Sequence, residues 1–252
     1  MKSLIFFVAG LLIAASAGMS QDTMYVHLHT GITAIKIADI DSILFRYSPL
    51  PTVTDASGNV YSVVTIGTQK WLQQNLRTTK FNDGSPIPHV SDSISWLNLT
   101  GPGYCWYDND SASYADPYGV LYNFYVIDST VNGNKNPCPV GFHMPSQSEW
   151  LTLINYAGGS TTCGVKLMEA GTAHWTPPNS MPTNELMFTA LPGGFRDWQS
   201  KFDLISSKGY HWTASEVNTT AAWKYHFDSN DAVIFKSGID KNSGTSIRCI
   251  KD

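Results

Sequence analysis

The sequence predicts an α+β domain in which a block of short strands, two central helices and a second block of strands follow one another. Three observations carry this. Trp223, Tyr225 and Phe227 alternate with Ala222, Lys224 and His226, the period-two pattern of a strand. Ser146 and Glu149 have the spacing of a capping box, and Trp150, Leu153, Ile154 and Ala157 then fall on one helical face. Turn residues punctuate both flanking blocks. Strands grouped at the two ends with helices between them exclude a repeated βαβ design.

Taken in order, residues 1–20 read as a secretory signal. Met1-Lys2-Ser3 is a basic start, Leu4 to Ala15 is an apolar run, and Ala15-Ser16-Ala17 offers a small-x-small cleavage pattern. A membrane span needs about 20 apolar residues, so this run is too short to be one. No cysteine follows it to carry a lipid, and no second long apolar stretch appears. The expectation is an exported chain, destined for the periplasm, the cell surface or the medium, without a membrane span or lipid anchor. Residues 21–47 read as a β-hairpin module, with Met24 to His29 alternating, a turn at Thr30-Gly31 and a returning strand from Ile32 to Ile37. The two prolines of Ser48-Pro49-Leu50-Pro51 make 48–52 a stiff linker.

Residues 53–252 form the main domain. Val53-Thr54 and Val60 to Ile66 flank a turn at Asp55 to Asn59, and Gly67-Thr68 leads into Lys70-Trp71-Leu72. The helices are expected at Tyr118 to Ile127, which is mostly large and apolar, and at Ser146 to Tyr156, with Gly158-Gly159 ending the latter in a left-handed turn. Strands return at His211 to Ser215, Ala221 to Phe227, Ala232 to Lys236 and Thr245 to Ile250.

Composition removes several classes. Hydrophobic residues make up 42% of the 252 and aromatics 12%, while charged residues are 14% against roughly 25% in average proteins. A disordered chain or a long coiled coil would be charge-rich. The formal charge is −4 and basic residues are not clustered, so no nucleic-acid partner is expected. Cys105, Cys138, Cys163 and Cys249 allow three disulfide pairings, and no C-x-x-C exists to hold zinc or run thiol exchange.

Six stretches together resemble a known family. They are Ile66-Gly67-x-Gln69-x-Trp71 with Asn75-Leu76-Arg77-Thr78-Thr79; Tyr104 to Asp110; Tyr118 to Asn123; Cys138 to Pro145; Phe188 to Arg196; and Ser246 to Ile250. In this order they resemble the Fibrobacter succinogenes major paralogous domain, found in exported proteins of Fibrobacter and the Bacteroidetes. The resemblance covers about residues 53–252. It implies a C-type-lectin-like fold with two helices and a twisted antiparallel sheet, in which the last strand returns to pair with the first. It also implies a disulfide between Cys138, just before the second helix, and Cys249 in the last strand. It does not account for Cys163, so a Cys105–Cys163 bond stays open. Gly141 to Trp150 further resembles an element of formylglycine-generating enzymes, which share the fold. Those enzymes need two reactive cysteines late in the domain, and here only Cys249 follows residue 163.

Catalytic signatures are otherwise absent: there is no Gly-x-Ser-x-Gly and no His-Glu-x-x-His. His143, His174, His211 and His226 lack acidic partners at a telling spacing and read as structural. His27 and His29 share a strand face, but two ligands do not complete a metal site. Asp108-Asn109-Asp110 with Asp116 is oxygen-rich enough to suggest calcium. It lacks the Gly and Glu of an EF-hand loop, and Pro177-Pro178-Asn179 only approaches the lectin calcium loop, so no cofactor or metal is expected. The remaining signal is aromatic. Trp198, Phe202 and Trp223 stand among Asp203, Asn218 and other small polar residues in Arg196 to Ser207, Glu216 to Thr220 and the adjoining strand. That mix suits a polar, ring-shaped ligand. The expectation is a non-catalytic binding module for a glycan or surface protein, its ligand met by Trp198, Phe202, Asp203, Asn218 and Trp223. The alternative is a structural or assembly domain of the cell envelope, and an enzyme of the formylglycine-generating kind comes third.

Overall fold

The computed structural model describes residues 49–177, 181–229 and 231–252, together with the backbone of four strands nearer the N-terminus. The chain forms two units, Met1–Pro49 and Leu50–Asp252. In the first, β1 (Ser3–Val8), β2 (Leu11–Ser16), β3 (Thr23–Leu28) and β4 (Gly31–Lys36) make an antiparallel sheet in chain order. The side chains read as an export signal and as the hairpin module, those of His27 and His29 included, lie outside the described residues.

The second unit is a mixed α+β domain built on two five-stranded sheets. It opens with β5 (Thr52–Thr54), β6 (Val60–Ile66) and β7 (Gln69–Leu72), which form a meander. Leu50 packs against the core and the Pro51 carbonyl accepts from Val63 N, so the stretch read as a linker is partly built into the domain. Much later, β10 (Phe142–His143) and β16 (Ile250–Lys251) join the same sheet in the order β10-β16-β7-β6-β5. The last strand therefore returns to pair with the opening meander, Ile250 opposite Trp71. Beside that pairing Cys138 and Cys249 are disulfide-bonded.

The intervening chain is short-element structure: α1 (Ser93–Leu97), β8 (Tyr104–Cys105), α2 (Ser111–Tyr114), β9 (Leu121–Tyr122) and α3 (Ser129–Asn132). The helix expected at Tyr118 to Ile127 is not there. Tyr122 pairs with Tyr104 and bridges to Thr245, and only Phe124–Val126 makes a single 3₁₀ turn. Val120, Leu121, Tyr122, Phe124 and Val126 are all buried. The apolar run therefore reports burial from every side rather than one helix face, and period alone cannot separate those cases.

The second expected helix, α4 (Gln147–Tyr156), forms as read. Ser146 Oγ accepts from Glu149 N, and Ser146 N donates to Glu149 Oε2 at 2.8 Å, so two otherwise orphaned donors are satisfied. At its end Gly159 N donates to Ile154 O and Gly158 N to Asn155 O, with both glycines at positive φ, a Schellman stop. A short α5 (Cys163–Leu167) follows.

The second sheet runs β12-β11-β13-β14-β15, from β11 (Gly193–Arg196), β12 (Phe202–Ile205), β13 (Lys208–Glu216), β14 (Ala221–Asp228) and β15 (Phe235–Asp240). It is antiparallel except where β11 meets β13 in parallel at Gly194 and Gly209. Two sequence expectations shift here. Arg196 to Ser207, read as a loop, is a β-hairpin. The strand read at Ala232 to Lys236 begins at Phe235, because Ala232 O accepts from Gly164 N and Ile234 N donates to Ser160 O, which ties that segment to α5.

Trp150 on α4 joins the sheets. Its ring lies 5.3 Å from Trp71 in the first and 5.2 Å from Tyr225 in the second, centroid to centroid. Truncating so fully buried a ring costs about 3–5 kcal/mol.

Candidate functional site

The five residues expected to meet a ligand do not form one face. Phe202 and Asp203 sit on the edge strand β12, whereas Trp223 is on β14 and Asn218 in the turn before it. Strands β11 and β13 lie between β12 and β14, a separation of roughly 14 Å at ~4.8 Å per strand.

Around β12 most groups have internal work. The Arg196 guanidinium is buried between the rings of Trp96 (4.5 Å) and Phe202 (4.9 Å) and donates to the carbonyls of Val90 and Ser91 and to Ser200 Oγ. Phe202 is thus half-buried packing for a cation. Asp203 is exposed, and its Oδ1 accepts from Leu204 N. Trp198, 56% exposed, stands at the tip of the β11–β12 turn that Arg196 and Ser200 brace. Asn218 Oδ1 accepts from Thr220 N and Ala221 N, so its oxygen is committed to its own hairpin turn.

Trp223 has a different setting. It is half-buried on the face of β14 that looks towards α4, beside Tyr225. Directly across the ladder is Gly238, over which the Val217 side chain lies, and Lys236 reaches diagonally so that Nζ sits 4.2 Å from the ring centroid. Lys236 Nζ also donates to Gln147 Oε1 at 2.9 Å, spanning from β15 to the first turn of α4. Next to this span lies an open cleft of about 420 Å³, lined by Gln147, Ser148, Leu151, Ile154, Ser160, Tyr225, Ile234 and Lys236. Its floor is apolar and its rim carries an amide, two hydroxyls and one ammonium. Leu151 is a helical leucine left 52% exposed at the rim. None of the five expected residues lines the cleft; Trp223 is joined to it through Lys236, which does. Gln147, Leu151, Ser160 and Lys236 were not legible as a group, because the cleft is made where a helix and an edge strand 80 residues apart come together. The single available signal was Leu151, an apolar residue off the buried stripe of α4.

Other candidates resolve into structure. His143 has two acidic partners that its spacing did not reveal: Nε2 is 2.8 Å from Glu149 Oε1 and Nδ1 2.6 Å from Asp252 Oδ1. His174 Nδ1 is 2.8 Å from Glu169 Oε1. The Asp110 carboxylate caps α2, and that of Asp116 pairs with Arg77. Among the described residues no three His, Cys, Asp or Glu side chains gather as metal ligands. Pro178 and Asn179 lie outside the described residues. Cys105 and Cys163 are free, buried and in different parts of the core, so they are not a second disulfide. Burial pushes their thiols up, to about 12 and about 11, away from the reactive thiolate form.

A fully buried guanidinium links the stretches that carry the family resemblance. Arg248 donates to Asn75 Oδ1 and to the carbonyls of Leu72, Gln73, Phe188 and Thr189, while Asn75 Nδ2 donates to Tyr118 O. His211 Nε2 is 3.1 Å from the same Asn75 oxygen. Burial holds His211 well below the ordinary imidazole range, with the Arg248 charge adding to the effect. The ring is therefore neutral and donates through Nε2–H.

These features define a β-rich α+β domain whose shared motifs build a polar core and whose open cleft lies at the helix-covered edge of one sheet. A family model described as the Fibrobacter succinogenes major domain matches residues 64–251, and the chain belongs to that family. No curated protein and no solved structure matches it.

Proposed function

We propose that this is an exported, non-catalytic binding module on a C-type-lectin-like scaffold, and that it takes a glycan in the cleft between α4 and the β14–β15 edge. The observation that carries the reading is the cleft itself. Its size falls within the range of small-ligand sites, and apolar side chains form its floor beneath a few converging polar groups. Pyranose rings present apolar C–H faces and outward hydroxyls, which matches aromatic Tyr225 and apolar Leu151 and Ile234 beside Gln147, Ser148 and Ser160, with Trp223 adjoining through Lys236. The return of β16 to the opening meander and the Cys138–Cys249 bond support the scaffold. The basic start, apolar run and Ala15-Ser16-Ala17 support export. Two buried, protonated free thiols support a non-catalytic role, since a nucleophilic cysteine needs exposure and a lowered pKa.

Affinity electrophoresis of the full chain through a panel of polysaccharides tests this. Retardation by at least one polymer is expected, with Trp223→Ala and Leu151→Glu each weakening it at least tenfold while the protein stays folded. Capture of a surface protein with no retardation by any glycan overturns the ligand class. Silence in both assays overturns binding altogether and leaves an assembly role in the envelope.

A further inference from the structure

We infer that the cleft selects acidic glycans, polymers whose pyranose rings carry carboxylates. This rests on reading the cleft as a glycan site and adds the charge of the ligand. The observation is an ammonium with no counter-charge. Among the described residues Lys166, Lys208 and Lys241 have a carboxylate within 3.0 Å and the other lysines do not; of those others, Lys236 is the one that lines this cleft. Lys236, at the cleft rim, is bonded to the neutral amide of Gln147 and stands over the Trp223 ring, and no carboxylate pairs with it among the described residues. Of the eight residues lining the cleft none is Asp or Glu.

The geometry gives this charge a direction. Gln147 takes one of the three ammonium donors and Lys236 is itself part of the lining, so donor capacity remains for an occupant of the cleft. Lys236 and Trp223 share one sheet face as diagonal neighbours across β14 and β15. A pyranose in the cleft therefore sets its ring substituents beside the ammonium, which is part of the lining, and a carboxylate there forms a charge-assisted hydrogen bond. The net charge of the whole chain, −4, repels such polymers at long range. Recognition must be local, within a Debye length of about 8 Å at physiological salt.

Matched pairs of saccharides that differ only in oxidation at C6, such as β-linked mannan with mannuronan and a cello-oligosaccharide with its C6-oxidised form, test the inference on the full chain. At least one uronate is expected to bind ten times more tightly than its neutral counterpart. Lys236→Gln should bring that ratio close to one; Lys236 is exposed, so the variant keeps the wild-type melting temperature. Equal affinity for the two members of every pair overturns the acidic preference, and a ratio that survives Lys236→Gln overturns its origin in Lys236; in both cases the glycan reading stands. No binding to any polymer overturns both.

Discussion

Asn75 and Arg248 are 173 residues apart in the chain, yet the guanidinium donates twice to the Asn75 side-chain oxygen, from Nη2 at 2.6 Å and from Nε at 3.2 Å. Among the described residues no carboxylate balances this buried charge; carbonyl dipoles do. Burial lowers Arg248 to about 9, which leaves it cationic at neutral pH. Asn75→Ala strips an acceptor from Arg248 and His211 and a donor from Tyr118 O and Ser246 Oγ. Stranding a buried charge costs about 3–5 kcal/mol. Urea unfolding should show a loss of that size, and a change below 1 kcal/mol would mean the network is not what holds these segments together.

Two histidines give opposite pH signatures. Burial alone would lower His143, but hydrogen bonds to Asp252 and Glu149 outweigh it and its pKa is raised. Its stabilisation is complete below the unfolded value of about 6.5 and fades as pH rises through the raised value. The pair is part-exposed, so the effect is below about 1 kcal/mol. Stability of wild type minus that of His143→Gln should shrink from pH 6 to pH 9. His211 is depressed, so its contribution is present above pH 6.5 and is lost as pH falls, by up to ~1.4 kcal/mol per unit for one proton. A ring-nitrogen NMR titration should find His211 neutral at pH 5; a charged ring there contradicts the network.

Removing the disulfide tests the closure of the domain. The Cys138–Cys249 bond spans 111 residues, and the chain-entropy estimate for so long a loop is about 4–5 kcal/mol, with measured values more often about 2–5. The Cys138→Ser/Cys249→Ser protein should lose stability in that range by denaturant titration. A loss under 1 kcal/mol would show that pairing of β16 with β7 suffices alone.

Trp96 packs on the Arg196 guanidinium and Trp198 stands at the tip of the turn that Arg196 braces, so the two should behave differently. Trp96 is fully buried beneath Arg196, and its Nε1 donates to Asn242 O, so Trp96→Ala should cost about 3–5 kcal/mol. Trp198→Ala removes an exposed ring and should stay within about 0.5 kcal/mol of wild type. Comparable losses for both in calorimetry would put Trp198 in the core.

Strands β6, β7, β13 and β14 and helix α4 were legible because their signals are local, among them alternation in β14 and a capping box and two glycines around α4. The strand read at Thr245 to Ile250 is instead isolated bridges at Thr245 and Ser246, with only Ile250 in β16. The Tyr118 to Ile127 segment misled because complete burial erases periodicity. Asn75, Phe188, Arg196 and Arg248 were visible as parts of motifs, but their meaning was not. They read as family marks, and the structure shows them to be fastenings of the core. The cleft was hidden for the opposite reason. Its residues are ordinary in type and scattered from Gln147 to Lys236, and only the docking of α4 against the β14–β15 edge gathers them.

The most direct measurement of the central claim is hydrogen exchange of the full chain with and without a saturating uronate oligosaccharide. The account predicts slowed exchange confined to the first turns of α4 around 147–151 and to the facing parts of β14 and β15 around 223–225 and 234–236. Protection centred on the Trp198 turn at 197–200, or none anywhere at saturation, would contradict it.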